Sequence, residues 1–482
     1  MAASVRTSSS LAKDFLSFVN ASPSPFHAVD ECVKRLKDAG FKKLSEKEDW
    51  SSQLQPGLKY YFTRNYSSVV AFVVGGAYKP GSGFNVIGAH TDSPCLKLKP
   101  ISALSKAGFL QVGVQTYGGG QWCTWFDRDL KLAGRVLTRD DSTEEAQLAH
   151  RLVHIDRPLL RVPTLAIHLN RTLNTDGFKI NEQTQLAPVL ATQVKAQLDA
   201  APAAATSESA SSSSSPHHHP LLLRLLAEEM KCDPQQIEDF ELCLADHQPA
   251  AIGGALDEFL FAPRLDNLLS SYCSLRALLE YASDAEAVAR ETNVQTVACF
   301  DHEEVGSKSF QGADSTLIDH FISRVIESLA PADMKLKNIR EMTYSNSFLL
   351  SADMAHALHP NYTEKHDEKH GPAIHAGVVL KHNANQRYAT SAVSAFLIRQ
   401  VGKMADVPLQ EFVVRQDMGC GSTIGPMLSA RGLRTVDVGA PQLSMHSIRE
   451  MCGVDDVDHY YNLFRSFFRN FTALDARLEV DA

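Results

Sequence analysis

Two textures alternate along the chain. Short apolar runs at 69–74, 84–88, 296–300, 348–350, 378–380, 412–414 and 435–438 have the length and β-branched content of buried strands. Amphipathic stretches lie between and after them. Ser24-Pro25 opens a predicted helix, with serine at the N-cap and proline in the first turn; Val29, Val33 and Leu36 share one face, and Gly40 closes it. An earlier helix begins near Lys13-Asp14. Leu265, Leu268, Tyr272, Leu275 and Leu279 form another helical stripe, opening at Arg264-Leu265-Asp266-Asn267. Strands separated by helices predict a largely parallel sheet covered on both faces.

The texture changes between about residues 98 and 245. Short β-rich pieces at 110–116, 130–137 and 164–170 alternate there with glycine-rich and polar connections. The pattern predicts an α/β fold: a mostly parallel mixed sheet sandwiched by helices, built from residues 1–97 and 246–482 and interrupted by a β-rich domain over 98–245. Near 200–220 the chain reads AAPAAATSESASSSSSPHHHP, too poor in apolar residues to bury a core. This stretch is expected to be a disordered surface loop, and His217, His218 and His219 an incidental solvated run rather than a metal site.

Length supports more than one domain, since 482 residues exceed what a single simple core holds. The formal net charge is −9, with 47 basic against 56 acidic residues, which argues against binding a nucleic-acid backbone. No run approaches the roughly 18 apolar residues of a membrane helix, so no membrane partner is expected. Nine widely spaced cysteines without a C-x-x-C pair fit a reducing, cytoplasmic setting better than a disulfide framework or a thiolate zinc site. Cys273 and Cys299 fall inside apolar patterns and read as buried small hydrophobes. The serine-rich start lacks the apolar segment of a signal peptide.

The chemistry-bearing residues follow strands. His90-x-Asp92, Glu303-Glu304, Asp353 and His446 each sit just after an apolar run, and Asp266 heads a helix. In open α/β sheets such positions line the crevice outside the carboxyl ends of the strands. Two imidazoles and three carboxylates are donors for zinc, manganese or cobalt. A pair of metals about 3.5–4 Å apart needs a bridging carboxylate, because imidazole cannot bridge. Asp92, two positions beyond His90, suits the role of orienting that imidazole. Adjacent Glu303 and Glu304 diverge, so one can ligate while the other serves a nearby water as general base.

Two competing motifs fail on context. His366-Asp367-Glu368-Lys369-His370 nearly spells H-E-x-x-H, but aspartate occupies the base position and Gly371-Pro372 ends any helix, so a polar loop is predicted. Gly419-Cys420-Gly421-Ser422-Thr423 is neither G-x-S-x-G nor a Walker loop and reads as a tight, site-lining turn.

Taken together, His90-Thr91-Asp92-Ser93-Pro94, Arg264-Leu265-Asp266-Asn267, Phe300-Asp301-His302-Glu303-Glu304-Val305-Gly306-Ser307, Ser351-Ala352-Asp353-Met354-Ala355-His356-Ala357 and Met445-His446-Ser447-Ile448-Arg449-Glu450 resemble the aspartyl aminopeptidases, in the same order and over nearly the whole chain. The resemblance implies a dizinc aminopeptidase that hydrolyses the peptide bond after an unblocked N-terminal Asp or Glu, with a metal-activated water. It implies two zinc ions per subunit, with manganese or cobalt possible at one position. His90 and Asp353 would hold one ion, Glu304 and His446 the other, and Asp266 would bridge. Glu303 would be the general base and Asp92 the partner of His90. Substrate contacts are implied for His168, Glu303, Asp353, His356, Lys381 and Tyr388, with Lys381 supplying the cation that an acidic side chain requires. The inserted domain would dimerise and lend His168 to a neighbouring site, and the dimers would assemble into a tetrahedral dodecamer. A dizinc amidase or deacylase of N-acyl amino acids would use the same ligands; a neutral-residue aminopeptidase would have no need of Lys381. A non-catalytic relative would be expected to have lost part of the ligand set, which is complete here.

Overall fold

The computed structural model describes residues 10–140, 146–200, 217–335 and 337–481. The chain divides into two compact units. One comprises the described parts of 1–93, 250–445 and 450–482; the other comprises those of 94–249 together with 446–449. The short segment carrying His446 therefore packs with the inserted unit, a placement that the domain boundaries expected from sequence do not contain.

The first unit is built on a nine-stranded mixed sheet. Its strands are β1 (Lys42–Lys43), β2 (Lys59–Arg64), β3 (Ser68–Val74), β4 (Phe84–His90), β5 (Val294–Phe300), β6 (Phe348–Ala352), β7 (Val378–His382), β8 (Leu409–Val413) and β9 (Arg434–Gly439), in the spatial order β1-β2-β3-β5-β4-β6-β9-β7-β8. The antiparallel neighbours are β2–β3, β3–β5 and β9–β7; the others run parallel.

Period-two geometry explains the unbroken apolar runs. In β3, Val69, Ala71 and Val73 enter one core while Val70, Phe72 and Val74 enter the core on the opposite face. The first core is closed by helices α1 (Ser10–Asn20), α2 (Pro25–Asp38), α3 (Leu265–Tyr281), α5 (Ala392–Met404) and α6 (Val454–Asp475). The second lies under α4 (Leu317–Leu329), where Phe321 meets the rings of Phe62, Phe72 and Phe84 at 5.8, 4.8 and 5.4 Å. Helix α2 begins and ends where its sequence predicts, with Gly40 at φ 76° just beyond it. Ser24 stands at its N-cap, but the hydroxyl pairs with the His27 ring at 2.8 Å instead of capping an amide. A second sheet of five short strands, from Ala251–Gly253 to Glu450–Gly453, completes this unit.

The inserted unit is an antiparallel six-stranded sheet packed on the helix Pro220–Met230 through Leu222, Leu226 and Met230. Two expectations are corrected here. Residues 164–170 are not a strand: a 3-10 turn occupies Ile167–Leu169, and Asp127 captures both the amide and the hydroxyl of Thr164 at 3.1 and 2.6 Å. The alternating Leu165, Ile167 and Leu169 that mimic a strand are exposed by 59, 48 and 75%. Nor is the histidine run wholly solvated: His217 is exposed, whereas its two neighbours have partners within the protein. His219 is buried with Nε2 2.8 Å from the Leu104 carbonyl, and His218 Nδ1 lies 2.8 Å from Ser102 Oγ with its ring against Phe240. The run anchors the start of the helix to a strand; the remainder of the expected loop, 201–216, lies outside the described residues. None of the nine cysteines forms a disulfide, and Cys273 and Cys299 are buried. No helix among the described residues is long and apolar enough to cross a membrane.

Candidate metal centre

Sheet order builds the site. Strands β5, β4 and β6 are adjacent and parallel, and Phe300 stands in register with His90. Their carboxyl ends therefore deliver Glu303-Glu304, His90-Thr91-Asp92 and Asp353 to one edge, as the crevice rule predicts. Helix α3 runs beneath, with Ser271 Oγ donating to the His90 carbonyl at 2.8 Å. Its first residues bring Asp266 to the same place.

His90 is the hub. Its Nε2 lies 3.4 Å from Asp266 Oδ1, 3.6 Å from Asp353 Oδ1 and 3.8 Å from Glu303 Oε2. One ligand atom each from His90, Asp266 and Glu304 falls within 4.8 Å of the others. On the far side of the ring, Nδ1 sits 3.0 Å from the main-chain carbonyl of Asp92 and 3.4 Å from its carboxylate. That carboxylate makes its closest bonds elsewhere: its two oxygens accept the amides of Glu303 and Glu304 at 3.1 and 3.2 Å. The glutamate pair rides on a tight turn closed by the Gly306 amide on the Glu303 carbonyl at 2.9 Å, and Gly306 adopts φ 93° there, a conformation that favours glycine.

The pocket gathers acidic groups. Asp92, Asp266, Glu303, Glu304 and Asp353 converge on His90, and the Lys381 ammonium lies 3.1 Å from Asp353 Oδ2. Burial pushes Glu303 well above the usual carboxyl range; His90 opposes the shift, and Asp353, Glu304 and Asp92 add to it. Burial resists a charged imidazole at His90, yet Glu303, Asp266, Asp353 and Asp92 hold its pKa well above the ordinary histidine value. At Asp353 burial again resists ionisation, and Lys381 with His90 overcomes it, keeping the carboxyl well below its usual range. Several carboxylates buried around one imidazole form a donor set that suits a divalent zinc-like cation, both in ligand type and in charge.

The other expected residues divide. Tyr388 is buried beside the ammonium, its ring centroid 5.3 Å from Lys381 Nζ. Cys420 of the glycine-rich turn packs against the small cluster that contains Tyr388 and Phe412, and its carbonyl accepts Arg387 Nε at 3.1 Å. His356 is exposed three residues beyond Asp353, on the two-residue strand Ala355–His356. The 366–370 segment is a polar loop in which His370 Nδ1 contacts Asp367 at 2.6 Å. His168 and His446 belong to the inserted unit; His168 is exposed on the 3-10 turn, and His446 Nδ1 lies 3.2 Å from the Gly119 carbonyl. Two residues with no expected role also enter the site. Asn267 donates to Asp353, and Glu450 accepts the Asp266 amide. Both lie inside quoted motifs, but no periodicity or spacing sets them apart.

Comparison with known proteins identifies the family. The family model described as aminopeptidase I zinc metalloprotease (M18) matches residues 18–468. A "Probable aspartyl aminopeptidase" of Ricinus communis is 52% identical over 485 residues, covering 98% of each chain. An "Aspartyl aminopeptidase" of Dictyostelium discoideum is 50% identical, covering 96% of this chain and 97% of its own. Among solved structures, the one titled "Cryo-EM structure of the Ape4 and Nbr1 complex" aligns with a TM-score of 0.93 at 46% identity, over 100% of this chain and 90% of that one. Another, "Structure of S. cerevesiae mApe1 dodecamer", aligns at 0.83 and 30% identity, over 98% and 99%. With the donor set, the strand-end geometry and a match spanning nearly the whole length, the chain belongs to the aminopeptidase I zinc metalloprotease (M18) family.

Proposed function

We propose that this metallo-aminopeptidase uses two zinc ions per subunit to remove an unblocked N-terminal Asp or Glu from peptides. The convergence of Asp266, Glu303, Glu304 and Asp353 on His90, with the Lys381 ammonium beside Asp353, carries the reading. His90 and Asp353 would hold one ion, Glu304 and His446 the other, with Asp266 shared; manganese or cobalt could replace zinc at one position.

When bound, zinc supplies Lewis acidity toward the scissile carbonyl and toward water. Glu303 takes the proton of the attacking water and returns one to the leaving amine. Asp92 fixes the Glu303 and Glu304 amides, so the base keeps its place through the reaction. Lys381 faces the acidic side chain of the substrate, with Tyr388 against its ammonium and His356 at the rim. Asp353 and Glu303 would meet the free α-amine, which restricts cleavage to chain ends.

By analogy with the dodecameric relative, we assign this chain to the same assembly: inserted domains pair, twelve subunits close with tetrahedral symmetry, and His168 of the partner subunit helps stabilise the oxyanion. A cytoplasmic, reducing setting accommodates the nine cysteines outside disulfides.

The test is a comparison of kcat/KM for Asp-, Glu- and Leu-linked chromogenic amides and for N-acyl aspartate. Acidic amides are expected to be cleaved at least tenfold better than Leu, and the N-acyl compound not at all. Equal Leu turnover would point to a neutral aminopeptidase, and preferred N-acyl cleavage to a deacylase.

A further inference from the structure

Helix α3 begins irregularly, and that irregularity lies in the site. Asp266 (φ −83°, ψ 103°) and Asn267 (φ −126°, ψ 25°) depart from helical geometry before the regular helix takes over. The Leu268 amide donates to the Arg264 carbonyl at 3.1 Å across this segment, and side chains hold the peptides between. The peptide of Asp266 is gripped on both sides: its amide donates to Glu450 Oε2 at 3.1 Å, and its carbonyl accepts Ser93 Oγ at 2.8 Å. Glu450 is itself buried and steadied by Gln442 Nε2, 3.3 Å from its other oxygen. Asn267, fully buried, turns its side chain the other way. Its Nδ2 donates to Asp353 Oδ1 at 2.9 Å and to the Ala352 carbonyl at 3.1 Å, while Lys381 holds Asp353 Oδ2 at 3.1 Å. Both oxygens of Asp353 therefore have fixed donors.

We infer that Asn267 and Glu450 are positioning residues that set Asp266 and Asp353 at the spacing a metal requires. The chain from Glu450 through the Asp266–Asn267 pair to Asp353 ties the small sheet, the head of α3 and the end of β6 together. A ligand pair held at fixed separation loses no freedom when the cation arrives, and outer contacts of this kind commonly govern metal affinity by 10–100-fold. The inference rests on the zinc reading above.

Zinc affinity of the full chain, measured by competition with a chromogenic chelator, tests it. Asn267→Ala and Glu450→Ala are expected to weaken zinc binding about 10–100-fold. Glu450→Gln, which keeps an acceptor for the Asp266 amide, is expected to bind closer to the wild type than Glu450→Ala. The control is Ser274→Ala on the same helix, whose buried hydroxyl bonds the Ser271 carbonyl; it is expected to bind zinc normally. Folding of each variant is checked by circular dichroism, and if Asn267→Ala does not fold, Asn267→Ser and the Glu450 pair decide the matter. Folded Asn267→Ala and Glu450→Ala proteins with wild-type zinc affinity would overturn the inference, as would an equal loss in Ser274→Ala. A wild-type chain that bound no zinc would instead overturn the metal reading beneath it.

Discussion

Replacing Asp92 by alanine isolates the hydrogen bonds that carry the glutamate pair. The carboxylate is 1% exposed and accepts the Glu303 and Glu304 amides at 3.1 and 3.2 Å. Hydrogen bonds to a charged acceptor contribute about 1.5–3 kcal/mol each, so losing both costs the turn about 3–6 kcal/mol against local opening. At 1.4 kcal/mol per decade this is roughly a 10²–10⁴-fold increase in the open population. His90 is expected to hold its place, because its Nδ1 keeps the main-chain carbonyl of residue 92 at 3.0 Å. The assay is amide hydrogen exchange across 301–306, which reads these two N–H groups directly. In Asp92→Ala the Glu303 and Glu304 amides should exchange at least 100-fold faster, while those within β4 stay protected. Asp92→Asn, which retains one acceptor oxygen, should fall between. Turnover at saturating zinc should drop 10–100-fold with the loss of order at Glu303. Unchanged exchange at 303–304 in the alanine variant would refute the argument.

Other outcomes follow from the same geometry. Glu303→Gln is expected to lower kcat by about 10²–10⁴ while zinc content, read by atomic emission, stays at the wild-type level; full turnover with zinc bound would exclude it as the base. Lys381→Met should bring the Asp-to-Leu ratio of kcat/KM down by about 10–150-fold, the equivalent of one charged hydrogen bond of 1.5–3 kcal/mol, and an unchanged ratio would remove Lys381 from substrate recognition. Phe321→Ala empties the centre of the second core, where three aromatic rings meet, and is expected to cost about 3–5 kcal/mol, seen as a lower melting temperature with unaltered kcat/KM in the cold.

Much of the first unit is legible in the sequence because its strands are buried on both faces. A run such as 69–74 has no polar residue to obscure it, and the ligand candidates stand directly after such runs, at 90, 303–304 and 353. Strand order then decides which of these meet, and no single-chain pattern encodes that β5, β4 and β6 are neighbours. Residues 164–170 mislead because period-two alternation also arises in an exposed loop, where Asp127 and not a partner strand satisfies the backbone. His218 and His219 mislead because composition takes no account of tertiary partners: Ser102, Leu104 and Phe240 bury rings that follow a serine tract. His446 groups with the inserted unit although the chain on both sides of 446–449 belongs to the first, since contacts of these residues, and not their position in the chain, determine membership. Asn267 and Glu450 act through neighbours brought together only by folding, so their residue types alone carry no signal.

The central claim is that a divalent metal held by these carboxylates and His90 drives cleavage at acidic N-termini. The most direct test follows turnover of an N-terminal Asp peptide and its Leu counterpart in the untreated enzyme, after chelation, and after zinc is restored. Asp-selective turnover that is lost on chelation and returns with zinc as the sites fill is the expected result. Asp turnover that survives complete removal of metal would contradict it.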